Sequence, residues 1–277
     1  MPFVFRRAAH FLCAVLAAGA LGACASAPPL PAVGEAEADK FLFDRGTESL
    51  AKKSWLNARE YFRRIIDSYP RSQYREGAKL GVGDTFIGEG RIESLIMGAN
   101  EFREFLQYFP RSARADYAQY RLAYAQSKQM LGAQRDQTAT HDAIRELRRF
   151  LDSYPDSQYR PDVQKLYREA RDRLSDSEFK VGLLYYRSRW NPGAINRFME
   201  LLKTDPEYTR RDELYYYTGE TFRRMNALPE ALPYYDRILT EFEKSKYREK
   251  AEKRIAELKR SLAAAAAPAS PAPGAGS

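Results

Sequence analysis

Cysteine and histidine are scarce in this sequence of 277 residues, which contains two of each. Two cysteines cannot form the disulfide framework of a small secreted domain. A structural zinc site needs about four cysteine and histidine ligands, so the same scarcity excludes one. The apolar stretch from Phe11 to Leu21 is about half of the roughly 20 residues that a membrane-spanning helix requires. No segment shows the alternation of apolar and polar residues that is typical of β-strands.

Motifs for enzymatic chemistry are missing as well. No segment carries the GxGxxG or GxxxxGK[ST] pattern of nucleotide-binding loops, and His141 has no cysteine partner. Carboxylate pairs such as Asp84 and Glu89 lie in segments with no special apolar character that would tune them for catalysis. We therefore predict a protein that is not an enzyme and that needs no cofactor.

The charge balance is basic, with 45 Lys and Arg against 37 Asp and Glu, a formal net charge of +8. Such an excess is compatible with nucleic acid or with an anionic membrane surface as a partner. The arginines of segments such as 145–149 alternate with acids at helical spacing, which is typical of salt-bridged outer faces. Because the N-terminus also has the pattern of an export signal, we predict no nucleic-acid partner.

Residues 1–23 have the pattern of an export signal, with Arg6 and Arg7 before the short apolar stretch. The sequence Leu-Gly-Ala-Cys at 21–24 resembles the lipobox of bacterial lipoproteins. That resemblance implies a covalent lipid on Cys24, and Ala at position 25 implies an outer-membrane destination on the periplasmic face. An ordinary secretory signal with a chance cysteine is the alternative.

The segments next to both ends are poor in large side chains. Residues 24–35 are small and proline-rich, which predicts a flexible tether after the lipidated cysteine. Residues 261–277 are dominated by alanine, proline and glycine and carry no charge, which predicts a disordered tail. The folded domain is therefore expected over residues 36–260.

That central region contains a repeat with five copies. Each copy ends in a motif like Ser-Tyr-Pro-Arg-Ser-Gln-Tyr, near residues 70, 110, 155, 206 and 243. Eight residues before each of these positions lies a large side chain, and twelve residues before lies a small one. The large residues are Phe62, Phe102, Leu147, Phe198 and Tyr235, and the small ones are Ala58, Gly98, Ala143, Ala194 and Ala231. These offsets resemble the second half of a tetratricopeptide (TPR) repeat.

The first half of the TPR pattern can be checked separately. Gly46, Gly182 and Gly219 lie twelve residues before the small residue in units one, four and five. Units two and three lack this glycine, so their first helices are expected to be longer or displaced, with an extra polar loop between 126 and 141. The prediction is an all-α fold of five TPR hairpins stacked as a right-handed solenoid. Ser72 and Ser157 are expected to cap helices, as is Asn191 ahead of Pro192.

Several segments are more specific than a general TPR pattern. They occur in order at 116–123, 135–138, 150–159, 173–186 and 194–197. Together with the lipobox they resemble the BamD (YfiO-type) family of lipoproteins from the outer-membrane β-barrel assembly (BAM) machine. The sequence departs from the family in having Glu243 in place of proline and a longer C-terminal tail.

This resemblance implies a scaffold that contacts the POTRA domains of the BamA barrel and other BAM lipoproteins. It also implies that unfolded outer-membrane β-barrel proteins are received for insertion into the membrane. Carried over by position, the implied partner-binding residues are Arg197, Asn196, Tyr185, Tyr186, Arg189, Tyr216, Arg223 and Arg224. For each aromatic residue, packing within the hairpins is an equally good interpretation.

Two other function classes fit parts of the sequence. A periplasmic TPR adaptor of the Tol–Pal or peptidoglycan-coordination type would share the Tyr-Pro-x-Ser-x-Tyr endings. Such adaptors usually begin with a coiled coil, and residues 35–57 show no heptads. A glycan-binding lipoprotein would need exposed Trp platforms, whereas Trp55 and Trp190 lie at hairpin turns of the repeat.

Overall fold

The computed structural model describes residues 37–266, and every regular element within this range is an α-helix. The predictions for the signal at 1–23, for Cys24 and for the tether lie outside the described residues. Eleven helices are described in this range. They are α1 (Ala38–Ala51), α2 (Trp55–Ser68), α3 (Arg75–Glu89), α4 (Ile92–Tyr108), α5 (Ala115–Lys128), α6 (Thr138–Ser153), α7 (Arg160–Arg187), α8 (Asn191–Thr204), α9 (Arg211–Arg224), α10 (Leu228–Glu241) and α11 (Arg248–Ala266).

The helices pair as five consecutive hairpins, from α1 with α2 to α9 with α10, and α11 packs on α10. The first helix of each hairpin also contacts the first helix of the next, while the second helices of neighbouring hairpins make no comparable contact. The stack therefore curves, with the first helices on its inner side. These features confirm the predicted all-α solenoid of five TPR hairpins.

The two residue types that define the repeat lie where helices approach most closely. The five large residues of the pattern are buried, with exposures of 2% or less, and the alanines twelve residues before the turn are completely buried. A Cβ atom built on Gly182 would overlap the ring of Phe198, and one built on Gly46 would lie 2.6 Å from the ring of Phe62. Only glycine leaves room for these rings between the two helices of a hairpin.

Unit two shows how the pattern shifts without being lost. Here Gly83, three residues before the expected position, lies under the Phe102 ring, where a Cβ atom would come within 2.6 Å of the ring. Its first helix has 15 residues against 14 in α1, α5 and α9, and its glycine is displaced by three positions, which agrees with the expectation of a longer or displaced first helix. The second helix of unit two, α4, has 17 residues and is longer than the second helices of the other units. In unit three the extra residues form the loop 129–137, as the extra polar stretch in the sequence indicated.

The turn serines act differently from the predicted helix caps. Ser72 lies three residues before α3, accepts a hydrogen bond from the Tyr74 N–H and donates one to Asp39 in the preceding hairpin. Ser157 makes the same two contacts with Tyr159 and Asp116. Asn191 is the first residue of α8 rather than its cap, because the helix begins one residue earlier than the motif suggested.

Helix α7 is the longest, with 28 residues and therefore a length of about 42 Å. It packs on α6, the last helix of hairpin three, and also forms hairpin four with α8. One continuous helix thus joins the first three hairpins to the last two. The sequence pattern did not predict it, because the TPR motif marks only the second half of α7, at Gly182.

The last helix extends past the predicted domain boundary. Residues 248–260 were not assigned to a helix from the sequence, and 261–277 were expected to be disordered. In the structure α11 continues to Ala266, so the expectation is wrong for 261–266. Alanine has the highest helix propensity, and a helix already started on Ala251, Ile255 and Leu258 can extend through an alanine run.

Candidate partner-binding surface

Asn196 and Arg197 lie on the exposed side of α8. The Arg197 guanidinium lies 3.3 Å from Oε2 of Glu178 on α7, and both side chains are about half exposed. Arg197 also lines a cleft of about 320 Å³ between α6, α7 and α8, together with His141 and Arg171. An exposed ion pair of this kind contributes at most about 1 kcal/mol to stability, so Arg197 is available for another partner.

Tyr185, Tyr186 and Arg189 lie at the turn between α7 and α8. Tyr186 is 9% exposed, and the Arg224 guanidinium carbon lies 3.5 Å from the centre of its ring. Arg224 also donates a hydrogen bond of 2.7 Å to the Tyr186 carbonyl. Tyr186 and Arg224 therefore join hairpins four and five, and the prediction of a direct partner contact through the Tyr186 ring does not fit its burial.

The other two residues of this turn face outward to different degrees. Tyr185 is half-buried and packs edge-on against Trp190, with ring centres 4.6 Å apart. Arg189 is exposed and has φ 59°, in the left-handed region that lets the chain reverse between two helices. Of the predicted residues at this turn, Arg189 is the accessible one.

Tyr216 and Arg223 lie on α9, opposite α11. The Tyr216 ring stacks on Tyr247 at 4.8 Å with an interplanar angle of 26° and meets Tyr217 edge-on at 5.5 Å. Tyr235 packs against the same group at 6.2 Å. These four tyrosines are called the aromatic cluster below. Tyr216 is half-buried, so the cluster presents part of its surface and uses the rest as core.

Glu220 is the charged centre of this region and was not predicted. Its carboxylate is 5% exposed and accepts hydrogen bonds from Tyr235 at 2.8 Å, Arg223 at 2.9 Å and Arg254 at 2.6 Å. Burial raises the pKa of Glu220, but these donors outweigh burial and leave the pKa below its ordinary value. Arg223 is therefore largely committed to Glu220, which makes it a weaker candidate for partner contact than Arg197.

A second network of tyrosine, arginine and carboxylate groups lies about two turns away, around Glu213 on α9. Glu213 accepts hydrogen bonds from Arg210 and from the Tyr247 hydroxyl, the latter at 2.8 Å. Arg210 is also 2.9 Å from Asp176, which accepts a hydrogen bond from buried Tyr208. Tyrosines and arginines on and around α9 thus share the carboxylates of Glu220 and Glu213, an arrangement that no local spacing in the sequence reveals.

Asp84 departs from the sequence-based expectation. Its side chain is 15% exposed, accepts a hydrogen bond of 2.8 Å from Tyr117 and lies 2.8 Å from Arg121 Nε. Burial raises the pKa of Asp84, while Arg121 and Tyr117 act in the opposite direction. We expected no special apolar setting for Asp84, and that expectation is wrong because its carboxylate is mostly buried. Tyr117 and Arg121 both contact this carboxylate.

The predicted partner residues therefore fall into three places: α8, the turns of hairpins four and five, and the face between α9 and α11. The turns of hairpins four and five are in contact with the aromatic cluster, because the Tyr186 ring packs edge-on against Tyr217 with ring centres 5.2 Å apart. Within residues 37–266, no helix combines the length and the apolar character needed to cross a bilayer. No three His, Cys, Asp or Glu side chains of the described residues form a candidate metal site.

Comparison with curated proteins finds outer membrane protein assembly factors among the relatives of this chain. The outer membrane protein assembly factor BamD of Caulobacter vibrioides is 27% identical over 199 residues, covering 71% of this chain and 64% of that protein. The BamD of Vibrio cholerae is 25% identical over 207 residues, covering 71% and 83%. The chain therefore spans just under two thirds of the Caulobacter relative and most of the Vibrio one.

Among solved structures, the TPR2AB domain of yeast Sti1 in complex with pHSP90 covers 81% of this chain and 84% of its own. The identity is 11% and the TM-score 0.47. The family YfiO, described as an outer membrane lipoprotein, matches residues 35–231. Since that match covers most of the five hairpins, the chain belongs to the YfiO family of outer membrane lipoproteins.

Proposed function

We propose that this protein is the lipoprotein subunit of a β-barrel assembly machine, a scaffold that helps to insert proteins into the outer membrane. The observation that carries the proposal is the family match over 35–231, supported by relatives that are assembly factors. A stack of TPR hairpins with an accessible surface suits a scaffold, because such repeats present extended faces to several partners.

Arg197 is the residue we propose for contact with a POTRA domain. It is about half exposed, lies beside the exposed Asn196 and is held only by a surface ion pair to Glu178. A partner carboxylate could replace Glu178 at little cost, and two parallel hydrogen bonds from a guanidinium would then fix the orientation of the partner. The cleft beside Arg197 would accept the flanking side chains.

The test is affinity purification of the intact lipoprotein from membranes. We expect a POTRA-containing barrel protein to co-purify with the wild type and to be reduced about tenfold or more by Arg197→Glu. Arg103→Glu is the matched control, because Arg103 is an exposed arginine on α4 whose side chain contacts only Asn100. Absence of any POTRA protein from the wild-type eluate would contradict the proposal, and recovery of Tol–Pal components instead would favour the adaptor alternative.

For unfolded barrel proteins we propose the inner face of the N-terminal hairpins. Tyr120 and Tyr159 stack there at 4.8 Å with an interplanar angle of 5°, and Arg121 lies beside Tyr117 and Tyr124. Arg121 Nε is 2.8 Å from Asp84, so a peptide carboxylate would share this guanidinium with Asp84. Half-buried aromatic rings can pack against apolar side chains, and guanidinium groups donate hydrogen bonds to a carboxylate. A peptide that ends in an aromatic residue should bind more tightly with a free C-terminus than as the amide, and equal affinities would contradict this proposal.

The lipid anchor is proposed at Cys24, which lies outside the described residues. A thioether lipid would hold the protein on the periplasmic face of the outer membrane. Replacement of Cys24 by serine should release the protein into the periplasmic fraction. Retention of the Cys24→Ser variant in the outer membrane, with the other BAM subunits removed, would contradict the anchor.

A further inference from the structure

The turns of hairpins four and five together form a surface of unusual composition. Residues 184–192 and 221–229 contain four arginines and no carboxylate. Three large apolar side chains on the same turns are strongly exposed: Leu184 at 60%, Trp190 at 55% and Met225 at 42%. We call this surface the turn patch, and its members are Leu184, Arg187, Arg189, Trp190, Arg224 and Met225.

Contacts between the two turns make the turn patch one continuous surface. Arg224 lies over the ring of Tyr186 and donates a hydrogen bond to the Tyr186 carbonyl. Because these two residues are in contact, Met225 after α9 lies near the turn that follows α7. Within residues 37–266, Arg187 and Arg189 have no carboxylate at ion-pair distance. Their charges are therefore free to act on a partner.

Trp190 is held in place although it is exposed. Tyr185 packs edge-on against one side of the indole at 4.6 Å, and Gly193 lies so close that a Cβ atom there would be 2.5 Å from the ring. A fixed aromatic ring loses little conformational entropy when it meets a partner. An apolar group of this size that is rigid and exposed points to a surface that becomes covered.

The other tryptophan shows that this exposure is not a general property of the repeat. Trp55, at the turn of hairpin one, packs against Gly88 of the next hairpin and is half-buried. Lys52 of that turn is paired with Glu48 at 2.6 Å. Trp55 is thus partly covered by the next hairpin and Lys52 is paired with an acid, whereas Trp190 is exposed and neither Arg187 nor Arg189 has a carboxylate at ion-pair distance among the described residues.

We propose that the turn patch rests on the interface of an anionic lipid bilayer. Tryptophan prefers the boundary between headgroups and acyl chains, where its ring is in an apolar layer and its N–H reaches water. Arginines beside it can pair with lipid phosphates, and apolar Leu184 and Met225 can enter the same layer. A pair of adjacent turns that is basic and free of carboxylates complements an anionic surface. The inference is independent of the POTRA proposal, which rests on α8.

The experiment uses the two tryptophans as probes. The full-length lipoprotein is reconstituted in vesicles of phosphatidylcholine with or without phosphatidylglycerol, and brominated lipids serve as quenchers. In Trp55→Phe the emission comes from Trp190 alone, and in Trp190→Phe it comes from Trp55 alone. We expect a blue shift and quenching of Trp190 in anionic vesicles, both weakened by high salt, and no such change for Trp55.

The double variant Arg187→Ala/Arg189→Ala tests the charges. In the Trp55→Phe background, the ratio of protein with the turn patch on the bilayer to protein with the turn patch in water should fall about thirtyfold. Most of the quenching of Trp190 should then be lost. If Trp55→Phe fails to fold by circular dichroism, the difference between wild type and Trp190→Phe gives the same signal. Equal quenching with and without anionic lipid, no effect of the two arginines, or protection of Trp190 only after addition of a POTRA protein would each overturn the proposal.

Discussion

The hydroxyl of Ser157 donates a hydrogen bond of 2.6 Å to the carboxylate of Asp116, 41 residues earlier in the chain. Asp116 is the second residue of α5, and Ser157 lies in the turn that ends hairpin three. The same link recurs at three other turns, between Ser72 and Asp39, Ser112 and Glu76, and Ser245 and Asp212. Each link ties the start of one first helix to the turn that leads into the next.

The fourth turn replaces this link with a different one. Tyr208 takes the place of the serine, is completely buried and donates a hydrogen bond to Asp176. Asp205 in the same turn accepts two hydrogen bonds from Arg168, at 2.9 and 2.5 Å. Every turn between hairpins, together with the one before α11, is therefore linked to the preceding first helix by a hydrogen bond to a carboxylate.

Removal of one serine link should lower stability by a measurable amount. We expect Ser157→Ala to reduce the free energy of unfolding by about 1 to 2 kcal/mol, because Asp116 and the Tyr159 N–H both lose a partner. Urea unfolding at pH 7 measures this value. Ser188→Ala is the control, since Ser188 is exposed and its hydroxyl has no hydrogen bond within the described residues.

A double-mutant cycle with Asp116→Ala separates the link from other effects. If the hydrogen bond carries the effect, the two substitutions should show a coupling energy of about 1 kcal/mol. Additive losses in Ser157→Ala and Asp116→Ala would mean that the two residues stabilise the fold separately.

The glycine under the aromatic ring of a hairpin should not tolerate alanine. We expect Gly182→Ala to cost about 1 to 3 kcal/mol, because the added methyl group would overlap the Phe198 ring. Gly132→Ala is the matched control, because no heavy atom lies within 4 Å of its Cβ position. Urea midpoints of the two variants, measured together, should differ clearly. Equal midpoints would show that Phe198 can move aside without cost.

Acid should unfold the C-terminal hairpins through their buried carboxylates. The pKa values of Glu220, Glu213 and Asp205 lie below their ordinary values, since hydrogen bonds from arginines outweigh burial. A lowered pKa in the folded state stabilises the protein above the unfolded pKa near 4, and this stabilisation is lost as pH falls through the folded value. We expect a constant urea midpoint between about pH 7 and 5 and a steep decrease below about pH 4.

Glu220→Gln identifies the main source of this dependence. The variant should lose about 2 to 3 kcal/mol at pH 7, because Arg223 and Arg254 remain without their charged partner. Its stability should then vary less with pH than that of the wild type. Glu230→Gln replaces an exposed carboxylate and should follow the wild-type curve. A Glu220→Gln curve parallel to the wild type would show that other carboxylates govern acid unfolding.

Helix α11 should be an integral part of the fold. Leu258 is 3% exposed and belongs to the cluster that contains Tyr235 and Tyr247, so Leu258→Ala should cost about 2 to 5 kcal/mol. Leu56→Ala is the control, since Leu56 is 72% exposed. The stability of both variants can be compared by thermal unfolding. A small effect of Leu258→Ala would indicate that α11 docks only weakly on hairpin five.

The sequence predicted the hairpins well because their rules are local. The offsets from each turn to Phe62 or Phe198 depend on helix geometry within about 30 residues, so one sequence contains the complete pattern. Helix α7 was missed because its second half matches a first helix and its first half has no motif of its own. The extension of α11 to Ala266 was missed because composition alone cannot show that a helix has already begun.

The candidate surface was predicted less completely than the fold. Arg197 was identified by resemblance, and its exposure fits that role. Tyr186 and Arg224 were predicted to contact a partner protein, but in the structure they contact each other. The sequence did not reveal this contact because the two residues are 38 positions apart. The role of Glu220 could not be predicted, since Arg254 reaches it from a helix 34 residues away. Long-range pairs of this kind leave no periodic trace.

The continuous helix α7 has a mechanical consequence. In repeat arrays each unit contacts only its neighbours, and the other first helices of this stack have only 14 or 15 residues. Helix α7 has 28 residues and packs against both α6 of hairpin three and α8 of hairpin four. A rotation of hairpins four and five would therefore also move the N-terminal end of α7, which lies against hairpin three. A partner that docks at hairpin four therefore touches a helix that is also part of the packing of hairpin three.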